Sequence, residues 1–461
     1  MSISGAMNTA VSGLNAESAA LASISNNVAN SQTVGFKQAD TSFVDYLTQT
    51  NASTDGSSSV VAKPQYTNDL QGTVAASTNP TSLAISGQGF FPVQRQTGEL
   101  NGQPVFNTLQ FYTRAGDFTT NINGNLVNSA GYTLDAYPAV TAANGTTTID
   151  KTALKPVHID ETPSSPVATT KMAISANLPA TPPAGAATVT STQQVYDPLG
   201  NMQDITLTWT QVPAIAAVPS NQYTLSITAP GSSTQPNTGP LTVTFGTGSV
   251  ASGGNGAPAG SILSITDASA TDPASTLPAA AVQAAATPTS ATPATVTLAL
   301  NYGTGAQPIV LNLGTFQSAS GVTQYSGSSY QVAAQSADGT PQGNFSSVSI
   351  AATGNVVINY DNGATKTIAQ VSLATFASPD SLQSQDGQAY TQSLASGSAN
   401  VVVAGTDGAG TLTTSAVEGS NVDIATEFTN MIVAQRAYEA NAKMITTASS
   451  LLQVAIQMVQ G

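Results

Sequence analysis

The sequence predicts a multi-domain α+β chain whose terminal helices pair as a coiled coil, with mainly antiparallel β domains between them. Two observations carry this. Residues 1–30 and roughly 421–461 both read as amphipathic helices with seven-residue apolar spacing. The long intervening sequence is almost uncharged and alternates short apolar strands with turn residues. A chain whose two ends make one helical module is built to stack on copies of itself, which points to an assembly subunit rather than an enzyme.

In the first helix Ile3, Met7, Ala10, Leu14, Leu21, Ile24 and Val28 alternate in steps of four and three, with Glu17 in the slot between Leu14 and Leu21. The helix is expected to stop near Asn26, Asn27 and Asn30. A turn over 29–36 follows, with Gly35 best able to take a positive φ. Asn30, Gly35 and Phe36 are the candidate hinge. Phe43, Val44, Tyr46 and Leu47 make a small apolar set, and residues 48–60 read as a flexible or exposed stretch.

Strand signals begin near Leu70. Gly87-Gln88-Gly89 separates two apolar runs, and no basic residue or capped helix follows it to suggest a phosphate loop. Asn123-Gly124 lies between apolar segments, the strongest short hairpin signal. Residues 146–326 look like a separate β domain, with strands at 204–212, 223–228, 241–245, 295–302 and 309–313. Alternation places Ile205, Leu207 and Trp209 on one face. Residues 252–293 are rich in Ala, Pro, Ser, Thr and Gly, as in a loop-rich insertion. Strands resume at 345–350, 356–360 and 368–376, the latter two divided by Asp361-Asn362-Gly363, and a short one follows at 400–403.

The last helix opens at Ser420-Asn421-Val422-Asp423, where Ser420 and Asp423 have capping-box spacing. Its seam is Ile424, Phe428, Met431, Tyr438, Ala442, Ile445, Leu452, Ile456 and Val459, with Gln435 and Ser449 in the two remaining slots. Glu439 and Lys443 have the spacing of a favourable pair on the outer face. An ordinary surface helix packed on a core is the rival reading for one such segment; two at opposite termini favour a seam. Burying this seam does not offset the entropy of ordering so long a segment. The ends are therefore expected to be loosely ordered in a monomer and to fold fully against neighbouring subunits.

Composition narrows the function classes. Charged residues are 7% of the chain, far below the usual quarter or so, and the net charge is −14. The ten basic residues are scattered, so no patch tracks phosphates or anionic lipid; nucleic-acid partners and membrane insertion are not expected. There is no cysteine, which excludes disulfides, thiol catalysis and cysteine-ligated zinc. The single histidine, His158, reads as a loop residue. No catalytic, cofactor or metal site is expected. No cleavable signal peptide is recognised at the N-terminus, yet the composition suits an extracellular protein.

Several segments together carry a resemblance. They are Ala10-Val11-Ser12-Gly13-Leu14-Asn15-Ala16, Asn26-Asn27-Val28-Ala29-Asn30 and Gly35-Phe36-Lys37 at the start. Arg114-Ala115-Gly116-Asp117-Phe118, Gly124-Asn125-Leu126-Val127 and Val195-Tyr196-Asp197-Pro198-Leu199-Gly200-Asn201 follow, then Gly363 through Leu373-Ala374-Thr375-Phe376. Ser420-Asn421-Val422-Asp423 and Asn430 through Tyr438 complete the set. In this order the chain resembles the bacterial flagellar axial proteins, the rod and hook family, and among them the hook proteins. Residues 213–325 show no match.

The resemblance implies an architecture. Residues 1–30 and 425–461 form an inner coiled-coil layer lining an export channel, and 31–70 with 398–424 connect it outward. Residues 71–145 with 327–397 make an inner β domain, and 146–326 an outer one. It also implies a helical homopolymer, partners among the rod, hook cap and hook–filament junction proteins, and delivery by the flagellar type III export apparatus. The implied role is a curved hollow tube passing torque from rod to filament as a universal joint.

Alternatives stay open at this point. A distal rod protein has a similar core without a large outer domain. A secreted β-rich adhesin or surface-layer protein has no reason for paired terminal heptads. A hydrolase using paired carboxylates has no recognisable setting here. Glu17 and Arg436 are rare charges on the seam helices, positioned either to pair within or between subunits or to stand solvated.

Overall fold

A computed structural model of the chain describes residues 3–47, 50–51, 54–55, 58–141, 147–182, 188–213, 220–234, 240–248, 257–267, 281–282 and 292–460. It forms two compact units, one of Met1–Glu161, Ser346–Asn359 and Thr365–Gly461, the other of Thr162–Phe345 and Tyr360–Ala364.

The first unit holds both helices, α1 (Ile3–Ala29) and α2 (Ile424–Gln460). Asn30 ends α1: its amide N–H and its side-chain amide both donate to the Asn26 carbonyl, at 3.1 and 2.9 Å. Gly35 follows at φ +69°, where a Cβ would lie 2.4 Å from the Ala115 nitrogen, so the turn requires glycine twice over. At the start of α2 the cap is Asp423, whose Oδ1 accepts from the amides of Ala425 and Thr426 at 2.9 and 3.3 Å. The capping box expected from Ser420 is thereby corrected, since the Ser420 hydroxyl accepts from Val422 instead.

Strand Ala39–Leu47 pairs antiparallel with Ser58–Tyr66, with Val44 opposite Val61. The described part of the stretch expected to be flexible is thus strand; residues 48, 49, 52, 53, 56 and 57 lie outside the described residues. The main sheet runs in the order Asn355–Tyr360, Thr365–Thr375, Tyr132–Thr141, Phe91–Leu100, Phe111–Thr113 and Ala389–Thr391. Its register sets Ala136 opposite Val371 and Leu134 opposite Val93. Asn123-Gly124 does make a hairpin, pairing Thr120 with Leu126.

The second unit is a five-stranded antiparallel meander and a mixed sheet enclosing one apolar core. Ile205, Leu207 and Trp209 are all fully buried, as their alternation predicts, and pack with Tyr223, Leu225 and Phe245. Lys171–Asn177 runs parallel to Gln307–Thr315 and antiparallel to Gln331–Ala337. Of the insertion-like stretch, Ile262–Asp267 is a strand; residues 268–280 and 283–291 are outside the described residues.

The expected boundaries need correction. Thr147–Ile149 and Lys155–Pro156 pair with Tyr132–Thr141 and so belong to the first unit rather than to an outer domain of 146–326. Gln331–Ala337 belongs to the second unit rather than to an inner domain beginning at 327. Residues 31–70 and 398–424, expected as connectors, lie within the first unit with the helices they join; there Thr411–Thr414 pairs with Leu83–Ser86 and Ala416–Glu418 with Val74–Ala76. Strand pairing decides these boundaries, locally for Thr147–Ile149 and across the chain for Gln331–Ala337, and composition carries no record of it.

Candidate assembly site

The two ends of the chain meet around three polar positions. Asn27, the last buried residue of α1, copies a strand edge with its amide. Its Nδ2 donates to the Ala39 carbonyl at 3.0 Å, and its Oδ1 accepts the Ala39 N–H at 3.1 Å. The same Nδ2 reaches Glu427 Oε1 at 3.4 Å, and Gln38 Nε2 donates to that oxygen at 2.8 Å. Burial, and then the nearby Asp40 carboxylate, push the Glu427 carboxyl up, while the Asn27 bond opposes them. Asn421 Oδ1 accepts the Gln38 amide at 2.7 Å, and its Nδ2 reaches the Thr67 carbonyl at 3.2 Å.

Behind this lies a buried ion cluster. Lys37 Nζ lies 2.6 Å from Glu418 Oε1, and Arg114 Nη1 lies 3.0 Å from Glu418 Oε2, all three side chains having no exposure. Oε1 also accepts the Gly72 N–H at 2.9 Å, and the Gly35 N–H donates to the Glu418 carbonyl at 2.8 Å. The Arg114 guanidinium lies 5.2 Å from the centre of the Phe90 ring. Burial pushes the Lys37 ammonium down against the pull of Glu418. One carboxylate thus fixes the exit of α1, the β core and the approach to α2.

Helices α1 and α2 lie side by side and antiparallel: Gly13 faces Asn441, where a Cβ would come 2.9 Å from Nδ2, and Asn27 faces Glu427. The α1 face is narrow and small, with Ala10, Ala16, Ala20 and Ile24 buried. On α2 the inward positions recur every seven residues: Glu427 and Ala434 are buried, and Asn441, Ala448 and Ala455 half-buried. Small side chains allow close approach. The other side of α1 meets the 39–66 hairpin, where Ser23 donates to the Ala39 carbonyl and Ser12 accepts from the Val60 amide.

The predicted seam residues fall as follows. On α1, Ile24 is buried, and Met7, Leu14, Leu21 and Val28 are half-buried. On α2, Met431 and Ile445 are half-buried beside the inward stripe, whereas Ile424, Phe428, Tyr438, Leu452 and Ile456 are exposed. The side chains of Ile3 and Val459 lie outside the described residues. Gly35 is buried, and Phe36 and Asn30 half-buried. The heptad period of α2 therefore holds within the chain in a different phase: its inward stripe is small and polar, and the large apolar positions are left over.

Further large apolar side chains on α2 are exposed outside the predicted seam, among them Ile432, Val433 at 63%, Met444, Leu451, Val454 and Met458 at 74%. Adjacent exposed pairs such as Ile432-Val433 and Leu451-Leu452 point about 100° apart, so the uncovered apolar surface is broader than one stripe.

Beside α1, the Ala39–Leu47 strand and α2 enclose a groove of about 420 Å³, lined by Glu17, Ala20, Ile24, Phe43, Val433 and Ala434 among others. Burial pushes the Glu17 carboxyl up. Glu17 and Arg436 make no ion pair within the chain, and neither do Glu439 and Lys443. The intrachain alternative for Glu17 and Arg436 is not realised, since Arg436 stands on the face of α2 turned away from α1; Glu439 and Lys443 share the outer face that their spacing predicts without forming an ion pair.

Sequence patterns singled out Lys37, Arg114 and Asn421 only within motifs, and missed Glu418 and Glu427. The available signal was scarcity: in a chain with ten bases, Lys37 directly after Phe36 and Arg114 two residues after Tyr112 invite a search for a buried acid. His158 is exposed and its Nδ1 lies 3.2 Å from Asn125 Oδ1. Among the described residues no group of three or more His, Cys, Asp or Glu side chains is placed to hold a metal, and no helix is long and apolar enough to cross a membrane.

Comparisons with known proteins place these features. The family description "Flagella basal body rod protein" matches residues 7–37, and "Flagellar basal body rod FlgEFG protein C-terminal" matches 413–458. "Flagellar hook protein FlgE/F/G D1 domain" matches 84–177, and "Flagellar basal body protein FlaE D2 domain" matches 165–340. The flagellar hook protein FlgE of Brucella suis is 30% identical over 462 residues, covering 99% of this chain and 100% of that one. Those of Salmonella typhimurium and Escherichia coli K12 are each 30% identical, covering 97% and 98% of this chain and 98% and 100% of theirs.

Proposed function

The chain belongs to the flagellar hook protein family and is a structural subunit of the hook, and from this premise we propose that its terminal helices form the torsion-bearing wall of a curved, hollow, helical homopolymer. The observation that carries the reading is the apolar surface α2 leaves uncovered, with Phe428 51% exposed and Ile432 and Ile456 similarly open. A helix that is apolar on more than one side belongs in an interior. Here the interior is supplied by other copies, each covering a different side. The seam residues Ile3, Met7, Leu14, Leu21, Ile24 and Val28, with Ile424, Phe428, Met431, Tyr438, Ile445, Leu452, Ile456 and Val459, are its coiled-coil contacts. Asn30, Gly35 and Phe36 set the angle at which α1 leaves the β core.

As a universal joint the polymer passes torque from rod to filament, so its wall must be stiff while outer contacts exchange during each turn. The near absence of charge from residues 205–337 suits exchange, because wet polar contacts can be remade at little net cost whereas ion pairs fix a register. Rows of Lys–Glu pairs engineered there should impair bending and swimming; unimpaired swimming would count against the sliding model. The role is mechanical and not enzymatic. Its proposed partners are the rod, hook cap and hook–filament junction proteins and the type III export apparatus, and its place is outside the cell.

Electron microscopy of assembled protein tests the reading. Curved hollow tubes are expected. Straight rigid rods would favour the distal rod alternative, and failure to polymerise would favour a secreted β-rich surface protein or a hydrolase.

A further inference from the structure

The groove beside α1 contains an acid without a partner. Glu17 is half-buried on its floor and Asp40 stands at the rim, while Ala20, Ile24, Phe43 and Val433 give it apolar walls. A carboxylate partly withdrawn from water is stabilised by a cation. Lys37 and Arg114 are buried against Glu418, and Arg436 and Lys443 are the basic residues of the helical module that stand exposed on the outer side of α2 without an ion pair. Glu17 lies between Gly13 and Asn27, and Arg436 between Glu427 and Asn441, so both sit within the paired span of the helices. Arg436 cannot reach Glu17 of its own chain because α2 presents Ala434 inward and Arg436 outward.

The part of α2 that lines the groove, Thr426, Asn430, Val433 and Ala434, is distinct from the part bearing Phe428, Ile432 and Arg436. One copy can therefore offer the second surface while receiving another copy in its groove. Resting on the assembly reading above, we propose that the groove is the socket for α2 of a second copy, with Phe428 and Ile432 of the incoming helix against the apolar walls and its Arg436 meeting Glu17. Donor and acceptor are different surfaces, so the contact is head-to-tail rather than two-fold symmetric; repeated without closing into a ring, it generates the open helical polymer of the assembly reading rather than a dimer.

The chain has no cysteine, which makes the contact directly readable. Full-length Glu17→Cys and Arg436→Cys chains are mixed, co-assembled in an excess of unmodified protein and oxidised. A disulfide joining one chain of each kind, absent when the same mixture is kept monomeric, is the expected result. Polymer that forms without this product, or that gives chiefly Glu17→Cys or Arg436→Cys homodimers, overturns the socket while leaving assembly through the terminal helices intact. No polymer even from unmodified protein overturns the assembly reading and the socket with it. As a second measurement, Glu17→Arg and Arg436→Glu should each raise the concentration needed for half-assembly roughly 5–30-fold, and the two together should restore it to within about threefold. Equal defects in the single and double variants would contradict the pairing.

Discussion

Lys37 and Glu418, 381 positions apart in the sequence, form a fully buried ion pair at 2.6 Å. The pair closes the chain on itself: Lys37 follows the exit of α1 and Glu418 precedes the entry of α2. Arg114 adds a second cation from the β core, so one carboxylate serves two positive charges with no exposure to water. This is where the terminal helices are anchored to the rest of the first unit.

Glu418→Gln should destabilise that unit by about 3–5 kcal/mol, because it leaves two buried cations without a counter-charge. Urea unfolding followed by near-ultraviolet dichroism measures it. A loss below about 1 kcal/mol would mean that Lys37 and Arg114 find other partners.

Gly35→Ala should cost at least about 1 kcal/mol, and more if the backbone has to move. The residue sits at φ +69° and the added methyl meets the backbone of Ala115. Thermal unfolding of the two chains under identical conditions checks it. An unchanged midpoint would contradict the tight apposition of the 29–36 turn to the Arg114–Ala115 backbone.

Stability should depend on pH through Asp135. Burial, partly opposed by a 2.7 Å hydrogen bond from Gln110, lifts this carboxyl from its ordinary 3.8 to about 7. The folded chain then holds a proton that the unfolded chain has released. The stabilisation is complete below about pH 4 and is lost as pH rises towards about 7, with an upper limit of about 4 kcal/mol. Asp135→Asn should flatten this slope. An equal slope in both chains would assign the titration elsewhere.

Polar substitution of Phe428 and Ile432 should change the monomer's stability by no more than about 0.5 kcal/mol, because more than half of each residue is already exposed to water. The same double variant should assemble poorly, as judged by sedimentation. A large loss of monomer stability with normal assembly would reverse the roles assigned to the two sides of α2.

The sequence made the helices and much of the strand order legible for physical reasons. Ile205, Leu207 and Trp209 alternate cleanly because one face is buried and the other is not, and that periodicity is local. Gly35 announced its turn because few other residues tolerate its backbone. The heptad of α2 was legible in period, but its phase within the chain was not: Ala434 and Asn441 face α1, whereas Phe428 is held outward, towards the neighbouring subunits against which the seam was expected to fold. A repeat reports that partners exist but not which of them lies in the same chain. Glu418 was invisible because its partners, Lys37 and Arg114, are hundreds of positions away. The domain boundaries near 146 and 327 rest on strand pairing rather than composition: Thr147–Ile149 folds back on the adjacent Tyr132–Thr141, and Gln331–Ala337 pairs with the distant Lys171–Asn177.

The central claim, that the terminal helices become the buried core of the polymer, is tested most directly by hydrogen exchange along Ile424–Gln460 in dilute monomer and in assembled protein. Amides across α2 should exchange at least about 100-fold more slowly after assembly, as local opening is suppressed by neighbouring copies. Equal exchange rates in the two states, with protection gained only in the β units, would contradict the account.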